Sequence, residues 1–290
     1  MIKLYPDYQL FTNVVFESTK KLIKNGIWPI DPLVYKSWMK NFVSEAEQFF
    51  CACLLDSLLF RTEEQVISSY HSIFNQHLPS LQLKFNNEIT LKRDLLALLR
   101  KEQRAVKLVT VNAKRSAGKS SHVLANILRK KFGIHQNSII PPEEVSDFYD
   151  EGTMLFIFID DFLGSGHQFK EQLDNSVEKK WDKGVVLYLP LIAHQKGIDF
   201  ILQEYPNVIV QPVELIARDY CFFTKYFSDE GNSATMCKKF YEDFMNKKGF
   251  SAELYGYGDL GVSVAFEHSC PDNTLLAFRG DNRPTYAKLF

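Results

Sequence analysis

The spacing of apolar and polar positions changes twice along this chain. Over residues 1–100 the apolar residues recur at mixed three- and four-residue steps, as in Trp38, Phe42, Phe49, Leu54, Leu55, Leu58 and Leu59. That period predicts buried helical faces. A second helix is predicted over Glu63–Phe74, with Thr62 as its N-cap, and a third over Leu91–Arg100, striped by Leu95, Leu96, Leu98 and Leu99. Short apolar runs then appear at Val106–Val111, Met154–Ile159, Val185–Ile192 and Val208–Val213. Runs that are apolar on both faces suit strands of a parallel sheet covered on both sides by helices. Helical patterns lie between them at Ser120–Phe132, Gln168–Lys179 and Lys196–Glu204, and a short extra strand fits Ser138–Ile140. The alternation predicts an α/β fold, a doubly wound and mainly parallel sheet with right-handed crossovers. Beyond residue 216 a helix fits Ser233–Asn246. A β-hairpin fits Gly261–Glu267 and Thr274–Phe278, joined by the turn Ser269-Cys270-Pro271-Asp272-Asn273. The expected organisation is a helical N-terminal region (1–100), an α/β core (101–216) and a C-terminal cap (217–290) over the sheet's ligand-binding edge.

Composition narrows the function classes. The 290 residues are 46% hydrophobic and 24% charged with a net charge of -1, which is enough for a full core and lacks the basic excess of a dedicated nucleic-acid binder. The balance hides an asymmetry. Residues 101–134 carry nine Lys or Arg and one acid, Glu102, while residues 143–161 carry seven acids and no base. Segments of opposite sign meeting in one cleft would bind a metal and an anionic ligand together. The opening MIKLYPDYQLF lacks the layout of a secretory signal. The greasiest stretch, Phe49–Phe60, contains Asp56 and falls short of the ~20 apolar residues that span a bilayer. Cys51, Cys53, Cys221, Cys237 and Cys270 form no CxxC pair, so reduced thiols and a cytoplasmic location are expected, with no membrane association.

Ligands of open α/β sheets collect at the carboxyl ends of the strands. After Met154–Ile159 come Asp160 and Asp161, then Gly164-Ser165-Gly166-His167-Gln168 leading into a helix. Adjacent carboxylates can accept hydrogen bonds from vicinal ribose hydroxyls. A glycine-rich turn exposes backbone N–H groups, and the helix N-terminus that follows adds about half a positive charge for a 5′-phosphate. The plain alternative is an αβ turn whose acids satisfy loop amides. After Val106–Val111 comes Asn112-Ala113-Lys114-Arg115-Ser116-Ala117-Gly118-Lys119-Ser120. Lys114, Arg115 and Lys119 supply charge suited to a pyrophosphate, against the alternative of a solvated basic loop. Gly118-Lys119-Ser120 also imitates a P-loop NTPase, with Asp160-Asp161 as its acidic strand. The phosphate loop of that class needs Gly where this chain has Ala113, and that reading leaves Gly164-Ser165-Gly166 without a role.

The strand, its two acids and the loop after them resemble the signature of type I phosphoribosyltransferases. Asp160 and Asp161 take the place of the ribose-binding acids, and Gly164, Ser165, Gly166, His167 and Gln168 that of the 5′-phosphate loop. Ser165 replaces the usual first Thr and Gln168 the second. Residues 112–120 match the family's pyrophosphate loop by position and composition. Trp38 in the helical start, the core Ile159 to Gly166, and Tyr255-Gly256-Tyr257 with His268, Pro271, Asn273 and Thr274 resemble the phosphoribosyltransferase-like domain of bacterial conflict systems, a group inferred to act in anti-phage defence.

The resemblance implies binding of 5-phosphoribosyl 1-pyrophosphate (PRPP) or a nucleotide, and transfer of phosphoribose to a nitrogen acceptor. The expected cofactor is Mg²⁺, met by Asp160 and Asp161 indirectly through the ligand. Lys114, Arg115 and Lys119 would assist pyrophosphate departure. Acceptor contacts are expected from His194, Glu214, Arg218 and Asp219 at later strand ends, and from Tyr257 and His268 of the cap. Residues 1–100 would dock a protein partner, and nucleic acid enters only as an acceptor or activator. Three other functions remain open: a non-catalytic nucleotide sensor, a nucleotide N-glycosidase and the NTPase.

Overall fold

The apolar runs of the middle segment become strands, and two of these run on past their apolar stretch. The computed structural model describes residues 2–85, 94–111, 119–176, 185–229, 232–280 and 284–290. The chain opens with helices α1 (Tyr8–Lys24), α2 (Pro32–Met39) and α3 (Glu45–Ser57), then the short strand β1 (Leu59–Arg61). Local chemistry sets these starts. Asp31 caps α2 ahead of Pro32, and a capping box of Ser44 and Glu47 opens α3. Next come α4 (Glu63–Ser72), a π-turn at Ile73–His77, α5 (Leu78–Phe85), and α6 (Leu95–Leu99), which is capped by Asp94. The first residues of the helix expected at Leu91–Arg100 lie outside the described residues.

The α/β alternation follows: β2 (Val106–Thr110), α7 (Lys119–Phe132), β3 (Ile139–Ile140), α8 (Val145–Asp150), β4 (Leu155–Leu163), α9 (His167–Ser176), β5 (Val185–His194), α10 (Gln195–Glu204), β6 (Val208–Val210) and β7 (Glu214–Ile216). All six strands are parallel, in the order β3-β2-β4-β5-β6, and β7 joins the far end of β5. Every residue of β2, β4 and β5 is buried, which is why these strands read as mainly apolar runs. One face carries α8, α9 and α10, whose Val145, Phe169, Leu173, Ile198 and Ile201 pack with Phe156, Phe158 and Tyr188. On α7, Phe132 meets the rings of Tyr70 and Phe74. The chain leaves β2 toward one side of the sheet and β4 toward the other, so the switch point lies between their carboxyl ends.

The chain closes with α11 (Phe222–Tyr226), the antiparallel pair β8 (Ser228–Asp229) and β9 (Asn232–Ser233), α12 (Ala234–Lys247), β10 (Val264–Phe266) and α13 (Leu276–Arg279). The β-hairpin expected here does not form. Instead β10 pairs in parallel with β1, Leu59 opposite Val264, and the second run is helical. The reason lies in side chains. The Thr274 hydroxyl donates to the Val264 carbonyl at 2.5 Å, and the Ala277 carbonyl accepts from the Trp38 indole at 2.8 Å and from the Tyr286 hydroxyl at 2.6 Å.

Two compact units result, residues 1–62 with 219–290, and residues 63–218. The first hundred residues are therefore divided between them. In the first unit Trp38 stacks on Phe278, Phe42 on Phe244, and Phe50 sits among Phe222, Phe227 and Tyr241. None of the five cysteines is in a disulfide; burial pushes the Cys51 thiol well up and that of Cys237 to about 12, which suppresses the reactive thiolate. Among the described residues no helix is long and apolar enough to cross a membrane.

Candidate functional site

The site begins where β4 outlasts its neighbour. The β2–β4 pairing ends with Thr110 opposite Ile159 and a last bond from Val111 N–H to the Ile159 carbonyl at 3.2 Å. On the other side, β4 stays paired with β5 as far as Leu163 opposite Ala193. From Asp160 onward, one edge of β4 therefore has no strand beside it among the described residues. This open edge is at the switch point.

Asp160 and Asp161 were expected in a loop; they lie in the strand itself. Consecutive strand residues point to opposite faces, so the two carboxylates flank the open edge. Both are buried, at 7% and 8% exposure. On one face, Asp160 Oδ2 accepts from the Tyr188 hydroxyl at 2.7 Å, and Oδ1 accepts from the Asp161 N–H at 2.9 Å. Tyr188 is held by stacking on Phe169, with ring centroids 3.7 Å apart. Burial, then the charge of Asp161, pushes the Asp160 carboxyl well above the usual carboxylate range; burial and Asp160 push the Tyr188 phenol up. Tyr70 of α4 is wholly buried, and its hydroxyl has no hydrogen-bond partner among the described residues. Burial, then the charges of Asp161 and Asp160, push its phenol well up. A buried hydroxyl left without a partner costs about 1–3 kcal/mol.

The turn after β4 is seated on α10. Gly166 has φ +87°, and a Cβ there would stand 2.8 Å from the Phe200 ring. A Cβ on Gly197 would stand 2.2 Å from the Gly164 carbonyl oxygen, closer than any side chain allows. The two segments touch because both lack side chains at the contact. Ser165 Oγ and His167 Nδ1 lie 3.0 Å apart, and the His167 ring stacks on Phe200 with centroids 4.7 Å apart. His167 opens α9, and Lys170 N–H bonds back to the Gly166 carbonyl at 2.9 Å, so the helix's first N–H groups face the turn.

The structure thus brings Asp160, Asp161, Gly164, Ser165, Gly166, His167 and Gln168 to one strand end. His194 is wholly buried and caps α10, its Nδ1 accepting from Lys196 N–H at 3.2 Å. Glu214 lies on β7 opposite Ile192. Arg218 is paired with Asp199 of α10, which also accepts from Gln195 at 2.8 Å. Asp219, Tyr257 and His268 fold in the other unit. Lys114, Arg115 and the Lys119 side chain lie outside the described residues. Sequence reasoning missed Tyr70, Tyr188, Gly197 and Phe200. A signal existed for one of them: a glycine in the first turn of a helix is an uncommon choice, and at Gly197 it marks a close approach.

A protein-family model described as PRTase-CE matches residues 35–290. No curated protein matches the chain.

Proposed function

Because the chain belongs to the PRTase-CE family, a phosphoribosyltransferase-like family, we propose that the open end of β4 binds the ribose 5-phosphate of PRPP or a nucleotide. The observation that carries this reading is the buried acid pair flanking a strand edge that is unpaired among the described residues, followed directly by a Gly-Ser-Gly turn and a helix N-terminus. A sugar entering edge-on meets one carboxylate from each face. Both oxygens of Asp160 already accept one bond, and each keeps a second lone pair for a ribose hydroxyl. Backbone N–H groups of the turn, the Ser165 hydroxyl and the start of α9 would hold the 5′-phosphate.

As a transferase, the site would break the bond between ribose C1 and the pyrophosphate oxygen, and form one from C1 to a nitrogen acceptor that sheds its proton. Holding the ribose and phosphate fixed supplies orientation, and Lys114, Arg115 and Lys119 would neutralise the leaving pyrophosphate. Among the described residues no group of three or more ligating side chains could hold a metal ion. Mg²⁺ would arrive bound to PRPP and would screen the pyrophosphate charge. An acceptor would approach past Arg218 and Asp199, and the biological setting proposed is bacterial anti-phage defence. The second reading is binding without turnover, as a nucleotide sensor, which needs the same ribose and phosphate contacts and no acceptor. A mass-spectrometric screen for PRPP- and Mg²⁺-dependent products over nucleobases, nucleotides and nucleic acids tests the proposal. A ribosylated product that disappears in Asp160→Asn/Asp161→Asn supports transfer; tight binding with no product from any acceptor supports the sensor.

A further inference from the structure

The basic excess of residues 101–134 is not all used at the switch point. The last turns of α7 carry Arg129 and Lys130, ten and eleven residues after Lys119 and hence about 15 Å from the helix start. Here a cleft of 420 Å³ is lined by Arg100, Asn126, Arg129, Lys130, His135 and Gln136 among others, and no acid lines it. The volume lies in the range of about 300–1,000 Å³ typical of small-ligand sites.

A helix C-terminus repels anions, since its free carbonyls amount to about half a negative charge. That objection is met locally. The Phe132 carbonyl accepts from Arg100 Nε at 2.9 Å, the Leu128 carbonyl from Ile134 N–H at 3.3 Å, and the Leu99 carbonyl of α6 from His135 N–H at 2.9 Å. The hydrogen bond fixes Arg100 at the cleft. Arg129 and Lys130 are exposed, and neither forms an ion pair among the described residues. Three full positive charges, of Arg100, Arg129 and Lys130, line one concavity with no acid among its described lining residues and with side-chain amides at its rim.

We propose that this cleft is a second anion site, which binds a phosphate-bearing small molecule of nucleotide size independently of the site at β4. Concavity and the small number of converging cations favour such a ligand over a nucleic-acid strand, which would need a longer basic track.

Hydrogen–deuterium exchange on the full chain, titrated with inorganic tripolyphosphate, tests this. Peptides covering residues 124–136 should gain protection in the wild type and equally in Asp160→Asn/Asp161→Asn, so the result stands apart from the fate of the ribose-phosphate reading. Arg129→Ala/Lys130→Ala, which removes two exposed side chains, should melt as the wild type does and need about tenfold more tripolyphosphate, or more, for the same protection. Three results would overturn the inference: no protection at residues 124–136, protection unchanged in that variant, or an equal loss in Lys20→Ala/Lys21→Ala, which would show a bulk charge effect. Protection of the same peptides by single-stranded RNA but not by tripolyphosphate would also overturn it, in favour of a nucleic-acid face.

Discussion

The two compact units both bury polar side chains, and they use them differently. In the unit formed by residues 1–62 and 219–290, the Trp38 indole and the Tyr241 and Tyr286 hydroxyls each donate to a main-chain carbonyl, at 2.6–2.8 Å. Such bonds fix a core of stacked rings and leave little chemistry over. In the unit of residues 63–218, Asp160, Asp161, Tyr70 and Tyr188 gather at one strand end, and burial pushes the pKa values of Asp160, Tyr70 and Tyr188 upward. An unpaired hydroxyl is not itself the difference, because Tyr35 of the first unit also has one. The difference is that Tyr70 sits in the field of two carboxylates at an open strand edge. Buried polar groups that satisfy the backbone specify a fold; buried acids crowded together make a fold less stable than it could be, and that is the mark of a site.

The contrast can be broken at either end. Trp38→Ala should cost about 3–5 kcal/mol of stability and leave ribose 5-phosphate affinity of the folded chain unchanged, as denaturant unfolding paired with calorimetry would show. Gly197→Ala should do the reverse in kind. Pushing the Gly164 carbonyl away costs about 1–3 kcal/mol and should lower phosphate affinity by about tenfold or more.

The acid pair makes a prediction in pH. The Asp160 carboxyl is raised in the folded state, so folding favours its protonated form. That contribution is complete below the ordinary Asp value of about 3.9 and is lost as pH rises through the raised value. Asp160→Asn, neutral at every pH, should therefore melt higher than the wild type at neutral pH and converge with it in acid, read as Tm against pH. The smallest effect on stability is expected at Tyr70→Phe. Removing a hydroxyl that has no partner should be neutral or stabilising by up to about 1 kcal/mol, while ribose 5-phosphate affinity falls if that hydroxyl serves the ligand.

Much of this architecture was legible in the sequence because strands buried on both faces leave mainly apolar runs. Val106–Val111 and Val185–Ile192 fell within two residues of the observed strands. The acids were read correctly as belonging to the end of the Met154–Ile159 run, and incorrectly as loop. Polar residues end an apolar run in sequence, but pairing with β5 carries β4 through them to Leu163. The hairpin failed for a related reason: a short apolar run does not say whether it pairs with its neighbour or with a strand some 200 residues away, as Val264 does with Leu59. Tyr188 and Gly197 could not be read as site residues at all, because their roles depend on strand register and on the seating of one turn against a helix.

The most direct test of the β4 site is calorimetric titration of ribose 5-phosphate, and of PRPP with Mg²⁺, into the wild type and into Asp160→Asn/Asp161→Asn. Binding to the wild type and its loss in the variant are expected, with the variant's fold intact by circular dichroism and its Tm at neutral pH no lower. Equal binding to both proteins would contradict this expectation.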